Sequence, residues 1–216
     1  MWATARHPEG VEVTDPRVRA LRLDVTDPDS IAAAARAAGD VSVLVNNAGI
    51  ATVTDLITGD LDRVRAEMDV HFWGTLGVTR AFAPVLARAG GGAVLNVMSV
   101  LSFRVFPGNG AYAAAKAAEW MLTNSTRLEL AGQGTQVTGL HVSSVDTDMM
   151  AGWDVPKLDP AEVVRAAFDG VAAGLDEVLV DEETRAVKAL LSQPPSVLYA
   201  PFTTGADERR VPADHR

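Results

Sequence analysis

The sequence predicts an α/β fold built around a parallel sheet, and three observations carry that expectation. Apolar runs of strand length alternate with longer stretches of helical periodicity, which is the pattern of βα units. The strand candidates are rich in Val and Leu without clean alternation, as strands buried on both faces are. At 216 residues the chain suits one domain with a sizeable core. Residues 1–216 therefore read as a single domain, with an irregular tail from about residue 193 that is rich in Pro and charge.

The strands are expected at 2–5, 20–25, 41–46, 93–98 and 136–142, with a short sixth at 177–180. Thr26-Asp27-Pro28-Asp29 caps a helix over 30–38, with Pro in its first turn. Asp60 caps a long helix to Ala89, which Gly90-Gly91-Gly92 ends. Leu61, Val64, Met68 and Phe72 share one face of it at helical spacing. Asn109 precedes an Ala-rich helix to about Ala131, Asp159-Pro160 opens one through Ala173, and 182–192 forms the last.

Bulk chemistry narrows the function classes. A net charge of −9 argues against nucleic acid or an anionic membrane as the main partner. The chain has no cysteine, which excludes disulfides, thiolate catalysis and Cys-based zinc sites. No apolar run approaches the roughly 20 residues that span a bilayer. Met1-Trp2-Ala3-Thr4-Ala5-Arg6 lacks the layout of a signal peptide. The expectation is a soluble cytoplasmic protein with no metal.

Tyr112 and Lys116 carry the first chemical signal. Four residues apart on a helix, they lie on one face a turn apart. A phenol is a poor acid–base group at neutral pH, and a nearby ammonium favours its anion. The pair alone is weak, because an aromatic packed on a Lys stem is the commoner outcome. Its surroundings strengthen it. Ser99 stands at the exit of a buried strand, 13 positions before Tyr112, with Pro107 and Gly108 turning the chain between them. Strand 41–46 runs into Asn47-Ala48-Gly49, at the sheet edge where ligands bind in open α/β folds.

Asn46-Asn47-Ala48-Gly49, Ser99 and Tyr112-Ala113-Ala114-Ala115-Lys116, in this order and spacing, resemble the short-chain dehydrogenase/reductases. Leu23-Asp24-Val25-Thr26-Asp27 and Val145-Asp146-Thr147-Asp148 match two further elements of that family. The resemblance runs from Trp2 to about Ser192 and implies a Rossmann-like doubly wound parallel sheet with helices on both faces. It also implies hydride transfer between NADP(H) and a carbonyl or secondary alcohol. Tyr112 would be the general acid or base. Lys116 would lower the Tyr112 pKa and bind the nicotinamide ribose, and Ser99 would orient the substrate oxygen. Asp24 and Val25 would meet the adenine and Asn46 the adenosine ribose region, with Ala48 and Gly49 of the same motif against the cofactor. Val145 and Thr147 would meet the carboxamide. Arg6, just past the first strand, stands where a cation meets a 2′-phosphate, which favours NADP, with NAD possible. The helices 60–89 and 109–131 are those the family uses to dimerise, so a homodimer or homotetramer is expected.

Three departures from the family stand out. No GxxxGxG or GxGxxG occurs in the chain, and a strand–turn–helix of roughly 30 residues that should precede Trp2 is missing. A late start relative to the natural product is the favoured explanation, and a damaged family member the other. Without the missing unit the pyrophosphate loses its helix N-terminus, and neighbouring strands lose a partner. His71 stands where the family carries Asn, either as a buried hydrogen-bonded side chain or as a replacement proton relay. Val142-Ser143 replaces the family's usual Pro-Gly.

Leu101, Phe103, Val105 and Phe106, with Met149, Met150 and Trp153, are expected to line an apolar pocket in which Arg104 is the one cation. That implies a small apolar ketone, aldehyde or alcohol, although such residues more often pack a core. The competing function is a catalytically silent member that acts through oligomerisation or protein binding. A non-nucleotide α/β binding module requires the motif register to be accidental and is set aside.

Overall fold

A computed structural model describes residues 1–203. Residues 204–216, most of the tail expected to be irregular, lie outside the described residues. Six strands occur in the expected order, the first joined to the second by a loop with one short helical turn at Pro8–Gly10 and the later strands alternating with helices. Strand β1 is Trp2–Ala5, β2 Arg19–Arg22, β3 Val43–Asn46, β4 Ala93–Val97, β5 Gln136–His141 and β6 Glu177–Leu179. The helices are α1 Pro28–Ala37, α2 Leu61–Met68, α3 Thr75–Arg88, α4 Gly110–Leu130, α5 Pro160–Ala172 and α6 Glu182–Ala189. Side chains of Asp27, Asp60, Asp159 and Asp181 accept backbone N–H bonds at the starts of α1, α2, α5 and α6, satisfying donors the helix leaves free.

All strand pairs are parallel, but they fall into two groups. β1 pairs with β2, with Trp2 opposite Arg19, and β3–β4–β5–β6 form a second sheet in sequence order. Among the described residues β3 has no partner along its other edge, and there Val43 and Val45 are each 42% exposed. The β1–β2 pair is held by packing instead: Trp2, Leu21, Leu23 and Val25 contact the cluster of Ile31, Val78, Phe82 and Val85. Successive residues of β4 face opposite sides. Val94 enters that cluster, and Leu95 enters another with Val163 and Ala167 of α5. Helices thus cover both faces of the sheet, and the strands' carboxyl ends open together at one edge.

Two expectations are corrected. The helix expected to run from Asp60 to Ala89 is divided by a widened π turn over Asp69–Gly74. Its first part, through the π turn, buries polar rather than apolar side chains on the inner face: Glu67 and His71 are fully buried, while Leu61 is 59% exposed. Hydrophobic periodicity misses this because what admits these polar groups is tertiary: Glu67 Oε1 is bonded by Thr52 and His71 Nε2 lies against Ile50 O, 15 and 21 residues away. Secondly, the tail begins with two short helices, Pro195–Leu198 and Ala200–Thr203. Pro suits a helix's first turn, and Leu198 is buried against the cluster of Phe103 and Val187. Among the described residues no helix is long and apolar enough to cross a membrane.

Candidate active site

The loops leaving β3, β4 and β5 enclose a cavity of about 720 Å³ at the sheet's carboxyl edge. Asn47, Ala48 and Gly49 follow β3, Met98, Ser99 and Leu101 follow β4, and Ser143, Ser144 and Val145 follow β5. The first turns of α4 place Tyr112 and Lys116 on the same cavity, one turn apart. Ser99 is held by the short helical turn it opens, its Oγ accepting from Leu101 N at 3.1 Å. Lys116 Nζ donates to Val97 O at 2.9 Å and to Glu119 Oε2 at 2.7 Å, which fixes the ammonium below the Tyr112 ring, 5.8 Å from its centroid.

These neighbours set the charge states. Burial pushes the Tyr112 phenol above its usual pKa, and Glu119 and Glu67 add to that. Lys116 and a Ser99 hydrogen bond pull it down, so the lysine works in the expected direction but is outweighed. Burial disfavours the Lys116 ammonium, yet Glu119 and Tyr112 together hold its pKa above the usual lysine value.

The remaining expected residues separate into groups. Ala48, Gly49, His71, Val145 and Thr147 line the cavity. His71 packs edge-on to Tyr112 with ring centroids 5.3 Å apart. Arg6, Asp24, Val25 and Asn46 are not on its wall. Asn46 turns into the core, donating to Asn96 Oδ1 at 2.8 Å and Thr79 Oγ1 at 3.1 Å, and Asn96 continues the network to Thr123. Its neighbour Asn47 faces the cavity instead. Val25 packs so close to the π turn that a Cβ at Gly74 would stand 2.8 Å from its Cγ2. Arg6 is exposed, and both it and Arg22 act on the Asp24 carboxylate, which the side-chain and backbone bonds from Thr26 hold below the usual carboxylate range.

Of the expected pocket residues, Leu101, Phe106, Met149, Met150 and Trp153 line the cavity. Phe103 and Val105 pack in the adjoining core, Phe103 stacking on His141 at 4.2 Å, and Arg104 bonds to Glu183. Sequence reading missed Asn109, which lines the cavity with a buried Oδ1 that has no hydrogen-bond partner. It also missed Glu67 and Glu119. Their signal was present: Glu67 and His71 are four residues apart, and Glu119 is an acid three residues after Lys116 in an otherwise apolar stretch.

A parallel sheet with helices on both faces, and a Ser, a Tyr and a Lys around a cavity at its carboxyl edge, define an α/β protein of the Rossmann-like class. The family model for short chain dehydrogenases matches residues 4–156, and the chain belongs to that family. It is 37% identical over 155 residues to an NADPH-dependent 1-acyldihydroxyacetone phosphate reductase of Schizosaccharomyces pombe, covering 69% of this chain and 52% of the relative. It is 35% identical over 162 residues to 1-deoxy-11-beta-hydroxypentalenate dehydrogenase of Streptomyces exfoliatus, covering 71% and 59%. The chain thus spans a little over half the length of these curated relatives. Among solved structures, a short-chain dehydrogenase from Burkholderia cenocepacia in complex with NADP superposes with a TM-score of 0.88 at 32% identity, over 93% of this chain and 85% of that one.

Proposed function

We propose that the chain carries the catalytic part of an oxidoreductase that moves a hydride between NADP(H) and the carbonyl or secondary alcohol of a small apolar substrate. The observation that carries this reading is the convergence of Tyr112, Lys116 and Ser99 on one cavity at the sheet's carboxyl edge. The NADPH dependence named for the S. pombe relative and the NADP in the B. cenocepacia structure support the choice of cofactor.

The residues present suit the nicotinamide end of such a cofactor. Lys116 offers donors to ribose hydroxyls, and Val145 and Thr147 stand on the same wall. Arg6 and Arg22, flanking Asp24, offer cations to a 2′-phosphate. The bound dinucleotide supplies the hydride. In reduction Tyr112 gives its phenolic proton to the carbonyl oxygen, Ser99 orients that oxygen, and the Lys116 ammonium stabilises the phenolate left behind. Leu101, Phe106, Met150 and Trp153 favour an apolar substrate, and Asn109 adds one polar group able to orient it.

Fluorescence titration of NADPH, and separately NADH, into the purified chain tests this reading. Micromolar binding would show that the strands present build a dinucleotide site without the Gly-rich loop, and no binding of either removes the reading for this chain. A second reading, a silent member that works by self-association, draws on Trp73, Met121 and Leu128, which are 58%, 63% and 79% exposed on the π turn and α4. Sedimentation velocity tests whether the chain forms a homodimer or homotetramer.

A further inference from the structure

Beside Tyr112 and Lys116 lie two carboxylates that hydride transfer does not require, Glu67 and Glu119, 0% and 1% exposed. They stand on either side of the fully buried His71. His71 Nε2 lies 3.2 Å from Glu67 Oε2 and 2.9 Å from Ile50 O, and Nδ1 faces Glu119 Oε2 at 3.8 Å. Glu119 also bonds Lys116 at 2.7 Å and accepts from Thr75 Oγ1 at 3.4 Å. At the outer end, Glu67 Oε1 accepts from the backbone N–H and hydroxyl of half-buried Thr52, at 2.6 and 2.8 Å.

Charge counting gives this cluster its meaning. Two carboxylates face one ammonium, which leaves a buried net negative charge unless one further proton is present. The unsatisfied atoms locate the need for it, because Glu67 Oε2 and His71 Nδ1 are both buried without a hydrogen-bond partner. A lone pair on Nδ1 aimed at a carboxylate repels it, whereas a proton between them attracts both. The 3.2 Å between Glu67 Oε2 and His71 Nε2 is within reach of direct proton transfer, and the 3.8 Å between Nδ1 and Glu119 Oε2 requires a small side-chain shift or one bridging water.

We propose that Glu67, His71 and Glu119 form a buried acid–base unit that holds one exchangeable proton and passes it to Lys116, replacing the proton Tyr112 loses. The delivery step rests on the reductase reading; the unit itself does not. At each step one O–H or N–H bond breaks as the next forms, from the Thr52 side through Glu67, His71, Glu119 and Lys116 to the Tyr112 phenolate. One proton enters from solvent for each proton given to substrate. Glu67 and Glu119 are positioning residues here, since neither lines the cavity. The groups facing His71 are Glu67 of α2, Glu119 and Tyr112 of α4, and the Ile50 backbone, whose carbonyl lies 2.9 Å and whose N–H lies 3.4 Å from Nε2.

Proton NMR of the chain with nitrogen-labelled imidazoles tests the unit without cofactor. The expected result is a low-field His71 ring N–H, protected from exchange, that is lost in H71N and moves or disappears in both E119Q and E67Q. The His141 signals should stay in place. Absence of the resonance from the wild-type chain, or its indifference to both substitutions, overturns the unit, and if E119Q fails to fold the wild type and E67Q decide. For delivery, NADPH-dependent reduction of an aryl ketone is the readout. E67Q should lower kcat about tenfold or more at unchanged KM, with E67D restoring it, and an unchanged kcat overturns delivery. NADPH fluorescence on the same samples separates the two readings: an intact resonance without dinucleotide binding keeps the unit and removes its delivery role.

Discussion

Glu119 Oε2 lies 2.7 Å from Lys116 Nζ, three residues back along α4, and the two side chains are only 2% and 5% exposed. A turn of helix puts them on one face, and the neighbouring strand β4 supplies the second acceptor, Val97 O. The ammonium is thereby fixed on the cavity wall before any ligand arrives. A local spacing in the sequence becomes a preorganised charge in the site.

Removing one partner of this pair exposes its energetic role. Glu119→Ala leaves a buried ammonium without its counter-charge and is expected to lower stability by about 3–5 kcal/mol. The double change Lys116→Met with Glu119→Leu removes both charges and should cost clearly less than the single one. Urea unfolding of the three chains measures this. A Glu119→Ala chain as stable as wild type would show that the pair does not set stability.

Tyr112→Phe keeps the ring against His71 and deletes the hydroxyl. In a form with a Gly-rich strand–turn–helix joined ahead of Trp2, turnover should fall by about 10²–10⁴-fold, the usual contribution of a positioned general acid. NADPH affinity should stay within a few-fold, and stability within about 1 kcal/mol, since one hydroxyl is lost. Following NADPH absorbance with an apolar ketone reads the first quantity, and activity that survives removes Tyr112 from the acid role.

The order of strands and helices was legible in the sequence because Val/Leu runs and Asp caps are local signals. Asp27, Asp60, Asp159 and Asp181 all cap the helices they precede. The π turn at Asp69–Gly74 was not legible, because its cause is tertiary: Gly74 admits Val25, and His71 reaches Ile50 O. Motif reading named Tyr112, Lys116 and Ser99, which meet at the cavity, but spacing alone did not reveal which of Asn46 and Asn47 faces it. That choice depends on Asn96 and Thr79, 50 and 33 residues away from Asn46. Glu67 and Glu119 escaped notice because buried acids are rare enough to be read as surface.

Gly49 is constrained by the same histidine. A Cβ there would stand 2.9 Å from His71 Cε1, closer than packed atoms tolerate, and the ring is enclosed on its other sides. Gly49→Ala should therefore cost about 1–3 kcal/mol through overpacking. In an H71N background, with less side chain in the way, the same change should cost markedly less, a coupling a double-mutant cycle reads directly. Additive effects would place the strain elsewhere.

His141 gives the fold an acid limit. Burial lowers its pKa from 6.5 to about 4, against the attraction of Glu177, while Lys188 and Lys116 push the same way as burial. The native chain thus keeps the ring neutral at a pH where the unfolded chain protonates it. Stability from this source is complete above about pH 6.5 and falls as the pH drops towards 4, because the unfolded state then binds the extra proton. Between pH 7 and 5 the loss is on the order of 2 kcal/mol. Glu177 is desolvated but held below the usual carboxylate range by Lys188 and Trp120, so its own contribution is lost only below its ordinary 4.5, beneath this window. The His141→Gln chain should show a flatter dependence of the urea midpoint on pH over 7 to 5 than wild type. Parallel curves for the two chains would move the acid sensitivity to another group.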